Sequence, residues 1–138
     1  EVGYGAVIAS LAGFVIIRDM VLNVSSNPLI SEAIAMNILA GITGSSSGGL
    51  PIALATLGAD DLARANAAGI SPELLHRIAA LAAGCLDTLP HSGAVITLLS
   101  ICGMTHKQSY GHVAMCTVLI PMISVTVAIT LGTLFGSF

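Results

Sequence analysis

Two short polar stretches lie between long apolar runs, and both contain side chains that could bind a solute. Residues 43–49 read Thr-Gly-Ser-Ser-Ser-Gly-Gly, and residues 87–93 read Asp-Thr-Leu-Pro-His-Ser-Gly. Pro90 removes a backbone donor and Gly93 loosens the backbone, so we expect a helix to break between Asp87 and Gly93. In lipid, the backbone groups freed by such a break must be satisfied by protein, water or a solute. The sequence therefore predicts a solute site where the two stretches face one another.

The chemistry of these stretches suits a hydroxylated anion. Half-helices that begin at Gly48 and Gly93 would present free N–H groups and partial positive charge, and the serine hydroxyls would add hydrogen bonds. Imidazole titrates near physiological pH and a nearby carboxylate favours its charged form, so we assign proton coupling to His91 and Asp87. The proton is then the coupling ion, and neither a cofactor nor a metal is expected. The predicted substrate-binding residues are Thr43, Gly44, Ser45, Ser46, Ser47, Gly48, Thr88, His91, Ser92 and Gly93.

The same residues permit an enzymatic interpretation. Residues 44–48 match the G-x-S-x-G nucleophile pattern, and His91 and Asp87 could complete a triad with Ser46, as in an intramembrane serine hydrolase. That motif needs a strand-to-helix elbow, which an apolar helical hairpin does not provide. Structural roles are also open, because Asp87 and His91 could cap helix ends and the serines could form a flexible linker.

Two further alternatives concern a metal and an assembly role. Cys102, His106, His112 and Cys116 follow a C-x3-H-x5-H-x3-C pattern that zinc would accept, although known zinc signatures are spaced differently. A non-transporting membrane assembly subunit would use interfaces of small residues without polar residues at mid-membrane, so the polar stretches count against it.

The composition indicates a membrane protein. Hydrophobic residues make up 55% of the 138 residues, charged residues only 8%, and the mean hydropathy is +0.97. An average soluble domain has roughly 25% charged residues. The net charge of -3 is scattered without a basic run, which argues against nucleic acid as a partner. The sequence begins at Glu1 without a signal-peptide pattern, so we expect a piece of a longer polypeptide.

The expected fold is a single all-α integral membrane region. Ser26 or Asn27 before Pro28, and Ser71 before Pro72, combine a capping side chain with a proline at the first helical position, so each combination predicts a helix start. Residues 104–111 are expected to form a polar turn. In order, the predicted elements are a membrane helix over 1–24, a re-entrant helical hairpin over 28–57, an interfacial helix over 58–70, a broken transmembrane helix over 71–103 and a transmembrane helix over 112–136.

The charged residues are expected at the water boundary of these elements. Arg18 and Asp19 lie in the last third of the first helix, and Glu32 lies near the start of the hairpin. Asp60 and Asp61 would occupy the first turn of the interfacial helix, where acids favour the helix dipole.

Four ordered motifs resemble the gluconate permease family of bacterial proton symporters. They occupy residues 23–30, 40–49 and 67–77, and 89–99 together with 103–110. The family's Leu-Pro-His-Asn-Gly-Ala run reads Leu-Pro-His-Ser-Gly-Ala here, with Ser92 in place of asparagine. The match extends over almost the whole chain but covers only about the C-terminal third of such a permease.

The resemblance implies a transporter fold of two inverted repeats, of which this chain forms most of the second half. It further implies proton-coupled uptake of gluconate or a related small hydroxy-carboxylate across the bacterial inner membrane by a multi-pass protein. The expected partners are the substrate, membrane lipid, the remaining part of the same transporter chain and a second copy in a homodimer.

Overall fold

The computed structural model describes residues 25–136 and five isolated positions, 7, 11, 13, 16 and 20. Apart from those positions, the helix predicted over 1–24, with Arg18 and Asp19, lies outside the described residues. The described part contains helices and no strand, which confirms the all-α class. In chain order the elements are α1 (Pro28–Thr43), α2 (Ser46–Ala67), α3 (Pro72–Ala83), α4 (Gly93–Ile101), α5 (His106–Ala114), a π-helical segment (Met115–Leu119) and α6 (Ile120–Phe135).

Helices α1 and α2 form a tight hairpin whose ends are set by local sequence signals. The Asn27 side chain accepts a hydrogen bond from the Leu29 N–H at 3.0 Å, and Pro28 follows at the first helical position. α1 ends at Thr43 and is capped by Gly44, whose φ of 61° lies in the left-handed region that glycine adopts without strain. Ser45 then caps α2 by accepting from the Gly48 N–H at 3.2 Å. Only two residues therefore connect the helices.

α2 corrects two predicted boundaries. We expected the second arm of the hairpin to end at Leu57 and a separate interfacial helix to cover 58–70, but one helix runs from Ser46 to Ala67. A glycine inside a helix costs only about 1 kcal/mol relative to alanine, so Gly58 among alanines does not end the helix. The stop comes at Gly69, which has a positive φ of 70°.

The two helices of the hairpin run antiparallel and are in close contact along their length. Near the tip, a Cβ added to the buried Gly49 would lie 2.8 Å from the Ala40 backbone nitrogen. At the other end, the Arg64 guanidinium donates to the Ser25 carbonyl at 2.8 Å and to Ser31 Oγ at 3.4 Å. We call the end around Gly44 and Ser45 the tip of the hairpin, and the end around Arg64 and Ser31 its base.

α3 packs its apolar face against the hairpin and ends at Ala83. Ser71 caps it by accepting from the Leu74 N–H at 3.2 Å. The core is formed by residues of α1, α2, α3 and α6, chief among them Leu29, Met36, Leu39, Leu57, Leu74, Ile78 and Val125. After Ala83 the chain leaves the helix, and helical structure resumes at Gly93. Residues 84–92, the connecting segment, thus contain Pro90 and most of the stretch where we expected a break.

The last three elements form one continuous helical rod from His106 to Phe135. Its 30 residues have a mean hydropathy of 2.2 in their most apolar window, so by length and composition it could cross a membrane. The rod begins at His106 rather than at 112, because the Thr105 and Gln108 side chains form a capping box. Pro121 cannot donate to the carbonyl of Thr117, and the wider π-helical turns just before it absorb this defect. The re-entrant hairpin and the broken transmembrane helix stay predictions as membrane elements.

Candidate solute-binding site

The structure brings the two polar stretches of the sequence into direct contact. His91 Nε2 lies 3.0 Å from the carbonyl oxygen of Gly41, and Ser92 Oγ donates to the carbonyl oxygen of Gly44 at 3.0 Å. The contact is close: a Cβ added to Gly44 would lie 3.3 Å from His91 Cδ2 and 3.4 Å from the Ser92 Cα. The tip of the hairpin is therefore packed against the connecting segment.

The hydrogen bond to Gly41 determines which nitrogen of His91 carries the hydrogen in the neutral ring. A carbonyl oxygen only accepts, so Nε2 must carry the hydrogen and Nδ1 holds the lone pair in the neutral ring. The side chain is exposed, and no described residue forms a hydrogen bond with Nδ1. Nδ1 is thus an acceptor in the neutral ring and a donor in the protonated ring.

The hydroxyl groups of the hairpin tip divide into two kinds. Thr43 Oγ1 is turned back to the carbonyl oxygens of Leu39 and Ser45, both at 2.9 Å, and Ser45 Oγ is the cap of α2. These two side chains hold the tip together. Ser46 and Ser47 occupy the first turn of α2, where Ser46 is half-buried and Ser47 is exposed. The backbone N–H groups of Ser46 and Ser47 donate to no described residue, so they are available to a ligand.

The N-terminus of α4 lies beside this turn and has no side-chain cap. Ser92 occupies the N-cap position, but its hydroxyl donates across to Gly44. The first N–H groups of α4, from Gly93 and Ala94, therefore remain unpaired within the described part of the chain, and both residues are exposed. Two helix N-termini with free donors and partial positive charge thus lie together, which favours an anion.

The long rod holds the connecting segment from its other side. The Tyr110 hydroxyl donates to the Thr88 carbonyl at 3.2 Å, and the Thr88 hydroxyl donates to Thr117 Oγ1 at 2.6 Å. His106 Nε2 lies 2.9 Å from the carbonyl oxygen of Pro90. The hydroxyl of Thr88 is thus used within the protein, at the π-helical turn. The segment that carries His91 is clamped between the hairpin and the rod.

Asp87 and His91 are not a hydrogen-bonded pair. Asp87 is half-buried and forms no hydrogen bond with a described residue, while His91 uses Nε2 on the Gly41 carbonyl. An influence of Asp87 on His91 would therefore act through space.

The described part of the chain gives little support to the serine hydrolase or to the zinc site. A serine hydrolase would need His91 bonded to Ser46 and to Asp87, and the structure bonds it to the Gly41 carbonyl instead. No strand-to-helix elbow is present among the described residues. No three of their His, Cys, Asp or Glu side chains are placed to share a metal ion, the Cys102 to Cys116 set included.

Sequence reasoning missed two buried carboxyl groups at the base of the hairpin. We expected Glu32 at the water boundary and Asp61 in an exposed first turn, but their exposed fractions are 2% and 1%. A pattern in the sequence could have revealed Asp61 once α2 is drawn as one helix. The buried positions Gly49, Ala53, Leu57, Asp61 and Ala65 recur every four residues, which places them on one face of a helix.

Comparison with known proteins gives one informative relative. No protein-family model and no solved structure matches the chain. A curated protein of Bacillus subtilis (strain 168), named "Uncharacterized transporter YxjC", is 44% identical over 119 residues. The aligned region covers 86% of this chain and 25% of the relative, so the chain spans about a quarter of the length of the curated relative it matches. This similarity agrees with the membrane class that the composition and the long apolar rod indicate.

Proposed function

We propose that this chain is part of a secondary active transporter that takes up gluconate or a related small hydroxy-carboxylate with protons across the bacterial inner membrane. The observation that carries the proposal is the meeting of two helix N-termini, at Ser46 and Gly93, beside the exposed His91. The similarity to a protein named a transporter supports the general class. The resemblance to gluconate permeases supports the choice of substrate.

The site would bind the substrate through groups that differ in kind. The carboxylate would accept hydrogen bonds from the free N–H groups at the starts of α2 and α4, as anions do at helix N-termini. The substrate hydroxyls would bond to Ser46 and Ser47. Residues 43–49 and 87–94, which form the hairpin tip and the stretch around His91, contain no lysine or arginine, so the helix ends and His91 would supply the positive charge.

His91 would link proton and substrate binding. In the neutral ring, Nδ1 has a lone pair that repels a carboxylate oxygen, and protonation converts it into a charged N–H donor. A proton on Nδ1 would therefore favour binding of the anion, and loss of the proton would favour its release. Asp87 would assist by stabilising the imidazolium through space.

The rest of the transporter would complete the site and cover the rod. Many large apolar side chains of α6 are exposed, including Met122, Ile123, Val127 and Leu134. Lipid, the remaining part of the same polypeptide, or a second copy in a homodimer would cover such a surface in the membrane.

The test is uptake by the complete protein that contains this sequence, reconstituted in vesicles. Labelled sugar acids are offered with and without an inward proton gradient. We expect the gradient to drive accumulation of at least one of them, and His91→Ala and Asp87→Asn to abolish that accumulation while protein insertion is unchanged. His76→Ala is the matched control, because His76 is an exposed histidine of α3 outside the site. Failure to accumulate any sugar acid, or full activity of both site variants, would refute the proposal.

A further inference from the structure

The base of the hairpin contains two buried carboxyl groups that the solute site does not use. Glu32 of α1 and Asp61 of α2 interact electrostatically across the helix pair. Glu32 Oε2 and both carboxyl oxygens of Asp61 have no hydrogen-bond partner among the described residues. Burying an ionised carboxylate without partners costs several kcal/mol even after relaxation. Two such groups on facing helices therefore need a ligand that reduces their charge.

One cation of the hairpin lies near the pair. The Arg64 guanidinium attracts Asp61, and it donates hydrogen bonds to the Ser25 carbonyl and to Ser31 Oγ. Asp60, the next residue along α2, is exposed and adds negative charge.

The other described helices contribute no charge to this buried region. α3 presents apolar side chains to the hairpin, and its charged or titratable residues Glu73, His76 and Arg77 are exposed. α6 has no titratable side chain, and Glu32 is the only one in α1. Within the described part of the chain, one guanidinium thus faces two buried carboxyl groups.

We propose that Glu32 and Asp61 form a second proton-binding site, in which the two carboxyl groups hold a single proton. Two like charges buried in the same apolar region each disfavour ionisation of the other, and a proton on either group removes one charge and adds an O–H donor. The remaining carboxylate is balanced by Arg64. Thr43 lies eleven positions after Glu32 in α1, so this site lies about 16 Å from the tip of the hairpin, apart from Asp87 and His91.

The proton controls how α1 and α2 pack at the base. Its loss leaves two negative charges on facing helices, which favours their separation there, while Gly49 and Ala40 stay packed near the tip. A role in transport for this separation of α1 and α2 rests on the proposed function. The binding of a proton by Glu32 and Asp61 does not depend on that function.

The direct test is infrared difference spectroscopy of the complete reconstituted protein during a pH change. We expect a carbonyl-stretch band of a protonated carboxylic acid at neutral pH in the wild type. Glu32→Gln and Asp61→Asn should each remove it, because the single carboxylate that remains is then balanced by the Arg64 guanidinium and stays ionised. Asp60→Asn is the matched control, since it removes an exposed carboxylate at the neighbouring position, and it should keep the band. A wild type without the band at neutral pH, or a band that survives in both variants, overturns the proposal.

A transport measurement tests the consequence separately. We expect Glu32→Gln and Asp61→Asn to lose accumulation driven by a proton gradient while they still exchange labelled for unlabelled substrate. Gradient-driven accumulation equal to wild type in both variants would overturn a role of the pair in coupling. Uptake that requires sodium, in a wild type that lacks the infrared band, would assign the carboxylates to a metal cation. If the wild type accumulates no sugar acid, the proposed function fails, and the infrared band still decides the proton site.

Discussion

Gly49→Ala tests the close packing that places the hairpin tip against His91. A Cβ at this position would lie 2.8 Å from the Ala40 nitrogen, 2.9 Å from the Ala40 Cα and 3.0 Å from the Leu39 carbonyl carbon. All three are backbone atoms, which cannot rotate away as a side chain can. Because comfortable contacts between carbon atoms begin near 3.5 Å, the 2.9 Å contact with the Ala40 Cα would require α1 and α2 to separate by about 0.6 Å.

The expected cost follows from two opposing terms. Overpacking of a closely packed site typically costs about 1–3 kcal/mol, and replacement of glycine by alanine within a helix returns up to about 1 kcal/mol. We therefore expect a net destabilisation of up to about 2 kcal/mol. Uptake should fall as well, because the shift moves Gly41 and Gly44 away from their partners His91 and Ser92.

Gly58→Ala is the matched control in the same helix. Its Cβ would meet only the Leu54 side chain, at 3.9 Å, which is an ordinary contact. This variant should be more stable than the wild type by about 0.5–1 kcal/mol, because alanine favours a helix over glycine by that amount. The assay is the fraction of complete protein that stays folded in detergent after heating, read by size-exclusion chromatography. A Gly49→Ala protein as stable as Gly58→Ala would show that the helices are not in such close contact.

Two further changes test the solute site and its clamp. Ser46→Ala should raise the KM for uptake by about 2- to 10-fold, which is the loss expected for one hydrogen bond. Ser100→Ala changes an exposed serine of α4 and should leave the KM unchanged. Equal KM values for the two variants would show that Ser46 does not bind the substrate. Tyr110→Phe deletes the hydrogen bond to the Thr88 carbonyl in the connecting segment. It should destabilise the protein by about 0.5–1.5 kcal/mol in the same heating assay. Unchanged stability would show that this hydrogen bond does not stabilise the fold.

Local signals in the sequence predicted the helix starts well. A capping side chain followed by proline fixes both Asn27-Pro28 and Ser71-Pro72, because each combination satisfies or removes an orphan donor within a few residues. The interruption around Pro90 is predictable for the same reason, since a missing donor acts on the turn that contains it. Such effects need no knowledge of distant residues.

Other features depend on contacts that no local signal contains. Gly58 and Pro51 both occur within α2, and only packing of the whole helix on α1 and α3 decides that it continues through them. The burial of Asp61 follows from that continuity, because a helix that began at 58 would have a different face towards its neighbours. The use of the Ser92 hydroxyl on Gly44, rather than as a cap of α4, likewise depends on the fold.

The hairpin connects the two candidate sites mechanically. α1 and α2 are joined by only Gly44 and Ser45 and are packed without a gap where Gly49 meets Ala40. A separation at the base would turn the two helices about that contact and so shift the tip, where Gly41 and Gly44 bind His91 and Ser92. Protonation at Glu32 and Asp61 would favour close packing at the base, and protonation at His91 would favour the anion at the tip. Both effects have the same sign, because each proton stabilises the arrangement in which the two helix N-termini lie together. A transporter built in this way would bind its anion most tightly when both sites carry a proton, and loss of either proton would weaken that binding.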